Sequence, residues 1–412
     1  MISRRVFLKN SAVAMFGAGV APAWLSRALY AVDAPSPRKK ILVTIFQRGA
    51  VDGLNVVAPF GEKRYYDLRP TIAVPKPDGT PDSAIDLDGF FGLHPSLGPL
   101  QEIFTAGHLA IVEAVGSPDP TRSHFDAQDY MESGTPGRKA TADGWLNRAL
   151  PPVRGRVSPV RAVAAGAALP RALRGRNESI AVDNLDSFQI RDARSSTAFE
   201  SMYASTIDTV LNGAGRETFD AVKILQSIQK RPYAPSPGAA YTRTRFGTSM
   251  EQIARLIKAD VGLEVAFADV GGWDTHVNEV GAKASAGQLP NLLADFGKNL
   301  AAFYRDLGDR MADVVVVTMS EFGRTAKENG NRGTDHGHAN IMFVLGGAVR
   351  GGKVYGDWPG LDEEQLYEGR DLNLTTDFRD VLGELVTAHL GNRDLNHVFP
   401  GYSNPRFLGL IG

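Results

Sequence analysis

The chain has 412 residues, 43% of them hydrophobic and 22% charged, with 45 basic against 46 acidic side chains, eight histidines and no cysteine. That is the composition of a globular protein with a sizeable core, and its near-neutral balance offers no concentrated positive surface for nucleic acid. The absence of cysteine excludes disulfides, thiolate zinc sites, cysteine-ligated iron–sulfur clusters and cysteine nucleophiles.

Residues 1–34 read as a twin-arginine export signal. Ser3-Arg4-Arg5-Val6-Phe7-Leu8-Lys9 precedes a weakly apolar run over 11–25, and Val32-Asp33-Ala34 supplies small residues where a signal peptidase reads. With Gly17, Gly19 and Pro22 the run falls short of the roughly 20 apolar residues of a spanning helix, so no stable membrane span is expected after processing. The expected location is periplasmic or secreted, with the twin-arginine export machinery as a partner. That route carries proteins already folded, often with a cofactor loaded, which directs attention to metal ligands. Residues 35–40, rich in Pro and basic side chains, form a short stiff linker ahead of a mildly acidic body over 41–412.

That body alternates strand and helix patterns. Residues 41–46 are a continuous β-rich apolar run ended by Arg48-Gly49, the signature of a buried parallel strand, and runs of the same kind follow at 109–115, 263–270, 314–319 and 341–345. Helical patterns lie between them. One follows a Pro start over 95–104, one begins with a hydroxyl cap over 123–132, and one sets Leu292, Leu293, Phe296, Leu300, Phe303, Tyr304 and Leu307 on a single face. The last runs over 376–390, with Asp377 and Asp380 near its positive end and Gly391 as its stop. The fold class is therefore α/β, a mainly parallel sheet sandwiched by helices with ligands at the carboxyl ends of the strands. Residues 150–260 break the rhythm with many prolines and polar helical patterns, including 197–211 and 217–228, and read as an inserted helical cap.

Groups that bind cations or anions follow four of the strands. Asp52 comes after the first; Thr121, Arg122, Ser123 and His124 after the second; Asp274 and His276 after the 263–270 run; and Glu321 and Arg324 after the 314–319 run, with Asp335, His336 and His338 a short loop later. Carboxylate and imidazole without thiolate is a ligand set for Zn, Mn, Mg, Ca or Fe. Thr121 and Ser123 stand at a helix start, where the dipole and free amides favour an anion. Each group has a structural alternative: Asp274 and His276 as turn and cap, Asp52-Gly53 as a turn, Ser123 as an N-cap. Asp335, His336 and His338, packed into four positions, are the hardest to read as structural. His94 reads as a helix-entry residue, and His108, His389 and His397 as surface or packing residues.

The motifs Arg48-Gly49-Ala50-Val51-Asp52-Gly53-Leu54-Asn55, Leu93-His94-Pro95, Arg122-Ser123-His124-Phe125, Gly272-Trp273-Asp274-Thr275-His276, Ser320-Glu321-Phe322-Gly323-Arg324 and Thr334-Asp335-His336-Gly337 resemble those of the twin-arginine-exported family called domain of unknown function 1501. That family is grouped with the alkaline phosphatase and sulfatase superfamily. The resemblance implies a three-layer α/β/α, alkaline-phosphatase-like fold and two divalent metal ions, Zn, Mn, Mg or Ca. Carried over by position, it implies metal ligands at Asp52, Asp274 and His276, with Glu321 and the set Asp335, His336 and His338 competing to complete the site. It implies Ser123, or failing that Thr121, as nucleophile, and Arg122, Arg324 or Arg48 as clamps on the equatorial oxygens of the ester. The implied activity is hydrolysis of a phosphoester or related anionic ester, from a small molecule or a polymer. Formylglycine sulfatase chemistry is disfavoured, because Pro118-Asp119-Pro120-Thr121-Arg122 has proline where the Cys/Ser-x-Pro-x-Arg motif needs an oxidisable head. The alternatives are a noncatalytic metal- or ligand-binding relative and, with less support, a redox metal protein.

Overall fold

A computed structural model describes residues 38–152, 157–186 and 220–412, and the compact body spans Lys40–Gly412. The main-sheet strands are β1 (Ile41–Arg48), β2 (Leu109–Gly116), β3 (Ala162–Ala164), β4 (Ile180–Ala181), β5 (Val265–Gly271), β6 (Val314–Met319), β7 (Asn340–Gly346), β8 (Lys353–Tyr355) and β9 (Thr376–Asp377). Their order is β8-β2-β7-β6-β1-β5-β3-β4, with β9 paired to β2. β1 pairs in parallel with β5, Arg48 opposite Gly271, and with β6, Phe46 opposite Met319. These three strands therefore end at one level on one edge.

Consecutive side chains of a strand point to opposite faces, so an unbroken apolar run such as Ile41-Leu42-Val43 feeds two cores at once. Ile41, Val43 and Ile45 pack beneath α2 (Arg245–Lys258) and α3 (Gln288–Leu307). Leu42 and Phe46 pack on the other face with Trp145 and with Phe378, Val381 and Leu382 of α4 (Phe378–Glu384). Full burial of each such side chain contributes roughly 1.5–3 kcal/mol, which is why the sheet is covered on both sides. The result is the expected three-layer α/β/α arrangement.

Three local expectations need correction. The 341–345 run forms β7 as expected, but it runs antiparallel to both neighbours, β2 and β6. An apolar run buried on both faces reads the same in either direction. The expected final helix is shorter, with β9 in its first two residues and a π-helical turn over Leu385–His389 before Gly391 stops it at a φ of 77°. The stretch 150–260 is not a detached cap in its described parts: β3 extends the main sheet in parallel beside β5, and α2 buries one face against it. The expected helix over 197–211 lies outside the described residues, and so do the leader and the first half of the linker. No helix among the described residues is long and apolar enough to cross a membrane.

Candidate metal centre

The reversal of β7 builds the site. Because β7 starts at the edge where β1, β5 and β6 end, the loop before it delivers Asp335 and His336 to the place where the loops after the other strands deliver Asp274, His276 and Glu321. A β-bridge between Arg324 and His336 pins that approach. Gly337 makes it possible, since a Cβ there would lie 2.3 Å from the Arg324 carbonyl carbon. Gly49, just past β1, has a φ of 117° and would carry a Cβ 2.7 Å from the Asp274 amide nitrogen; only glycine meets both demands. Its N–H donates to Glu321 Oε1 at 2.8 Å. His124 enters at the start of α1 (His124–Ser133), after β2.

Donor atoms of His124, Asp274 and His336 all lie within 4.8 Å of one another, the one such group of three among the described residues. His124 Nε2 and His336 Nε2 are 3.0 Å apart. His276 joins from the Asp274 side, its Nε2 2.9 Å from Asp274 Oδ1 and 3.1 Å from His336 Nε2. Buried Phe322 floors the cluster, its ring centre 4.9 Å from that of His124 and 5.1 Å from that of His336.

What the other ring nitrogens do decides the chemistry. His124 Nδ1 meets Glu321 Oε1 at 2.8 Å, His276 Nδ1 meets Asp335 Oδ1 at 3.0 Å, and His336 Nδ1 meets the Arg122 carbonyl at 3.0 Å. All three partners only accept, so each Nδ1 carries a proton, and a ring in its neutral form presents its lone pair at Nε2. Lone pairs facing each other at about 3 Å repel unless a proton or a cation lies between them. Ligands bonded at about 2.0–2.1 Å around one ion sit at comparable mutual separations. The donor set thus fits a divalent ion on nitrogen and carboxylate oxygen, with Glu321, Asp335 and the Arg122 carbonyl fixing the rings from behind.

The carboxylates are held charged. Burial works against ionisation of Glu321, yet its bonds from His124 and Gln128 keep it below the usual range. The same balance holds Asp274 down through Arg324, and Asp335 through His276. His124 is pushed up, first by its bond to Glu321, while burial and the charge of His124 push His336 down.

Other expected site residues lie elsewhere or are committed. Asp52 is outside the cluster: buried Arg69 donates to its two oxygens at 2.5 and 2.9 Å, so it is a structural anion. His338 is turned away and stacks on Tyr367 at 4.4 Å. Arg122 is spent on Asp371 and Glu368, Arg48 on Glu132 and Asp269, and Arg324 on Asp274. None of the three is a free clamp; Arg324 instead orients Asp274. The Thr121 hydroxyl accepts from the Ser123 amide. Ser123 occupies the N-cap position of α1 without a capping bond from its exposed side chain. Arg69, Gln128, Glu279 and Thr334 complete the surroundings; the first three carry no sequence motif, and Thr334 opens the one that holds Asp335 and His336.

The chain matches, over residues 39–393, the family model described as Protein of unknown function (DUF1501). It belongs to that family. Among proteins of curated function, none matches this DUF1501 chain in sequence. Among solved structures it is similar to the sulfatase PsFucS1 from Pseudoalteromonas sp., at 12% identity and a TM-score of 0.40 over 93% of this chain and 76% of that one. It is also similar to an alkaline phosphatase superfamily protein from Vibrio parahaemolyticus, at 11% and 0.27 over 76% and 61% of the two chains. A third is the lipoteichoic acid synthase LtaP from Listeria monocytogenes, at 11% and 0.30 over 75% and 65%. At such identities and scores, the chemistry of this DUF1501 site has to be argued from its own geometry.

Proposed function

We propose that the protein is an exported metal-dependent hydrolase of phosphoesters or related anionic esters, built around one divalent ion per chain. The observation that carries this reading is the convergence of the Nε2 atoms of His124, His276 and His336 with Asp274, each ring meeting an acceptor at the opposite nitrogen. His124, His336 and Asp274 would hold the ion, with His276 beside them. Such an ion supplies Lewis-acid polarisation of an ester oxygen and activation of a hydroxyl or water. One ion rather than two is proposed, because Asp52, one of the expected ligands of a two-metal site, is neutralised by Arg69. Export is proposed from the Arg4-Arg5 leader.

The chain's own groups divide the remaining work. Ser123, one residue before His124, offers a hydroxyl not used for capping and is the proposed nucleophile. The first amides of α1 offer an anion the positive end of a ten-residue helix. Asp126, which would oppose an anion there, is met by Lys139 at 2.7 Å. Glu321 and Asp335 keep His124 and His276 in the ligating tautomer.

A screen of phosphomonoesters, phosphodiesters and sulfate esters with metal-loaded protein tests the reading. Turnover that is lost on chelation and falls by at least about 100-fold in Ser123→Ala supports it. The commitment of Arg48, Arg122 and Arg324 to carboxylates favours a second reading, a noncatalytic metal-binding member of the family. Metal retained without turnover on any ester selects that one.

A further inference from the structure

Behind Asp274 lies a buried chain of hydrogen bonds. Arg324 Nη1 donates to Asp274 Oδ1 at 2.6 Å, and Arg324 Nε donates to Thr334 Oγ1 at 3.1 Å. The Thr334 hydroxyl in turn donates to Glu279 Oε2 at 2.9 Å. A third bond from the Arg324 guanidinium, to the Thr334 carbonyl, helps fix its plane. Glu279 and Thr334 are fully buried and Arg324 is 2% exposed. Glu279 also shares a hydrogen bond with Asp52, the partner of Arg69.

The geometry points to Glu279 and Thr334 as positioning residues that hold Arg324 in the orientation that presents Asp274 to the metal. The inference rests on the metal-centre reading and deepens it. Arg324 faces the same Asp274 oxygen that lies 2.9 Å from His276 Nε2 and 3.2 Å from His336 Nε2. A guanidinium free to rotate would leave that carboxylate unoriented beside the imidazoles, or would take both its oxygens bidentately and withdraw it from the ion. The Thr334 hydroxyl prevents both, because it accepts the Nε proton and spends its own on Glu279.

Charge on the chain is consistent with this arrangement. Two guanidiniums, Arg69 and Arg324, stand against three carboxyl groups, Asp52, Asp274 and Glu279. Burial and then the neighbouring Asp52 charge push Glu279 well above the carboxylate range, and its hydrogen bond to the Arg69-paired Asp52 needs a proton between the two carboxyl groups. It can then donate to Asp52 while accepting from Thr334, so that Asp52 balances Arg69 and Asp274 balances Arg324.

The test is Zn²⁺ affinity of the full chain, by competition with a chromophoric chelator. Thr334→Val, which keeps the shape and removes the hydroxyl, and Glu279→Leu should each weaken Zn²⁺ binding by about 10–100-fold. Glu279→Gln should bind as wild type, since its amide can accept from Thr334 and donate to Asp52. Leu382→Ala, in the core on the opposite face of the sheet, should lower the melting temperature without changing Zn²⁺ affinity. If Glu279→Leu does not fold, Thr334→Val alone decides. Wild-type affinity in Thr334→Val overturns the inference while leaving the metal centre standing. No Zn²⁺ binding by the wild-type chain overturns the metal-centre reading itself, and this inference with it.

Discussion

Two charged clusters lie side by side at the carboxyl edge of the sheet, and they are built on opposite principles. In the inner one, Asp52 and Arg69 are 1% and 0% exposed, and Asp52, Arg69 and Glu279 use their hydrogen-bonding groups on one another, on Asn55 and Thr334, or on main-chain carbonyls. In the outer one, His124, His276, His336 and Asp274 have side chains 25–44% exposed, and the Nε2 atoms of His124 and His276 lie 3.0 and 3.1 Å from that of His336. Buried charge is tolerated only when matched, whereas the donors of an open cluster stay accessible to water or to a bound cation. Residue type alone does not separate the two; satisfaction of the polar groups does.

Breaking the inner cluster should have the largest effect on stability. Arg69→Met leaves Asp52 buried without its partner and should cost about 3–5 kcal/mol in urea unfolding. The pair Asp52→Leu with Arg69→Met should recover most of it.

Histidines sharpen the same contrast through pH. His389, whose Nε2 donates to the Ile41 carbonyl at 3.0 Å, is pushed down to about 4 by burial, unlike the upward-shifted His124 at the open cluster. Its folded pKa lies below the ordinary value of about 6.5, so the unfolded chain binds the extra proton between the two. Stability due to this neutral ring is complete above about pH 6.5 and is lost as pH falls toward 4, about 3 kcal/mol in all. His94, also pushed down to about 4 by burial, should add to that loss. Unfolding midpoints measured across that range should fall for the wild type and less steeply for His389→Gln.

In the outer cluster, removing a ligand should do the reverse of breaking the inner pair. His336→Ala should cost at least about 100-fold in metal affinity, roughly 2.7 kcal/mol, with little change in metal-free melting temperature. The smallest expected effect concerns Glu113, whose two oxygens form no hydrogen bond of good geometry among the described residues and which burial pushes well above the carboxylate range. Glu113→Met should raise stability at neutral pH by about 1–3 kcal/mol, because no polar group remains to be desolvated. A lower melting temperature would count against this view of the strand.

Much of the outer cluster was readable in the sequence, because His124, Asp274, His276, Glu321, Asp335 and His336 follow or precede runs that can only be buried strands. The alternation of elements also gave the layered architecture. The direction of β7 was not readable, since a run buried on both faces has no polarity in its pattern. Nor was the fate of Asp52. What decides it is Arg69, 17 positions away with an intervening helix, and Glu279 from another loop, contacts that exist only after folding. The arginines misled for the same reason, since a guanidinium after a strand looks like an anion clamp until its carboxylate partner is placed.

The most direct test of the account is the metal content of full-length protein equilibrated with a divalent ion, freed of excess and measured by elemental analysis beside Asp274→Ala. The account predicts close to one ion per wild-type chain and none in the variant. No bound ion in the wild type, or an ion retained in Asp274→Ala, would contradict it.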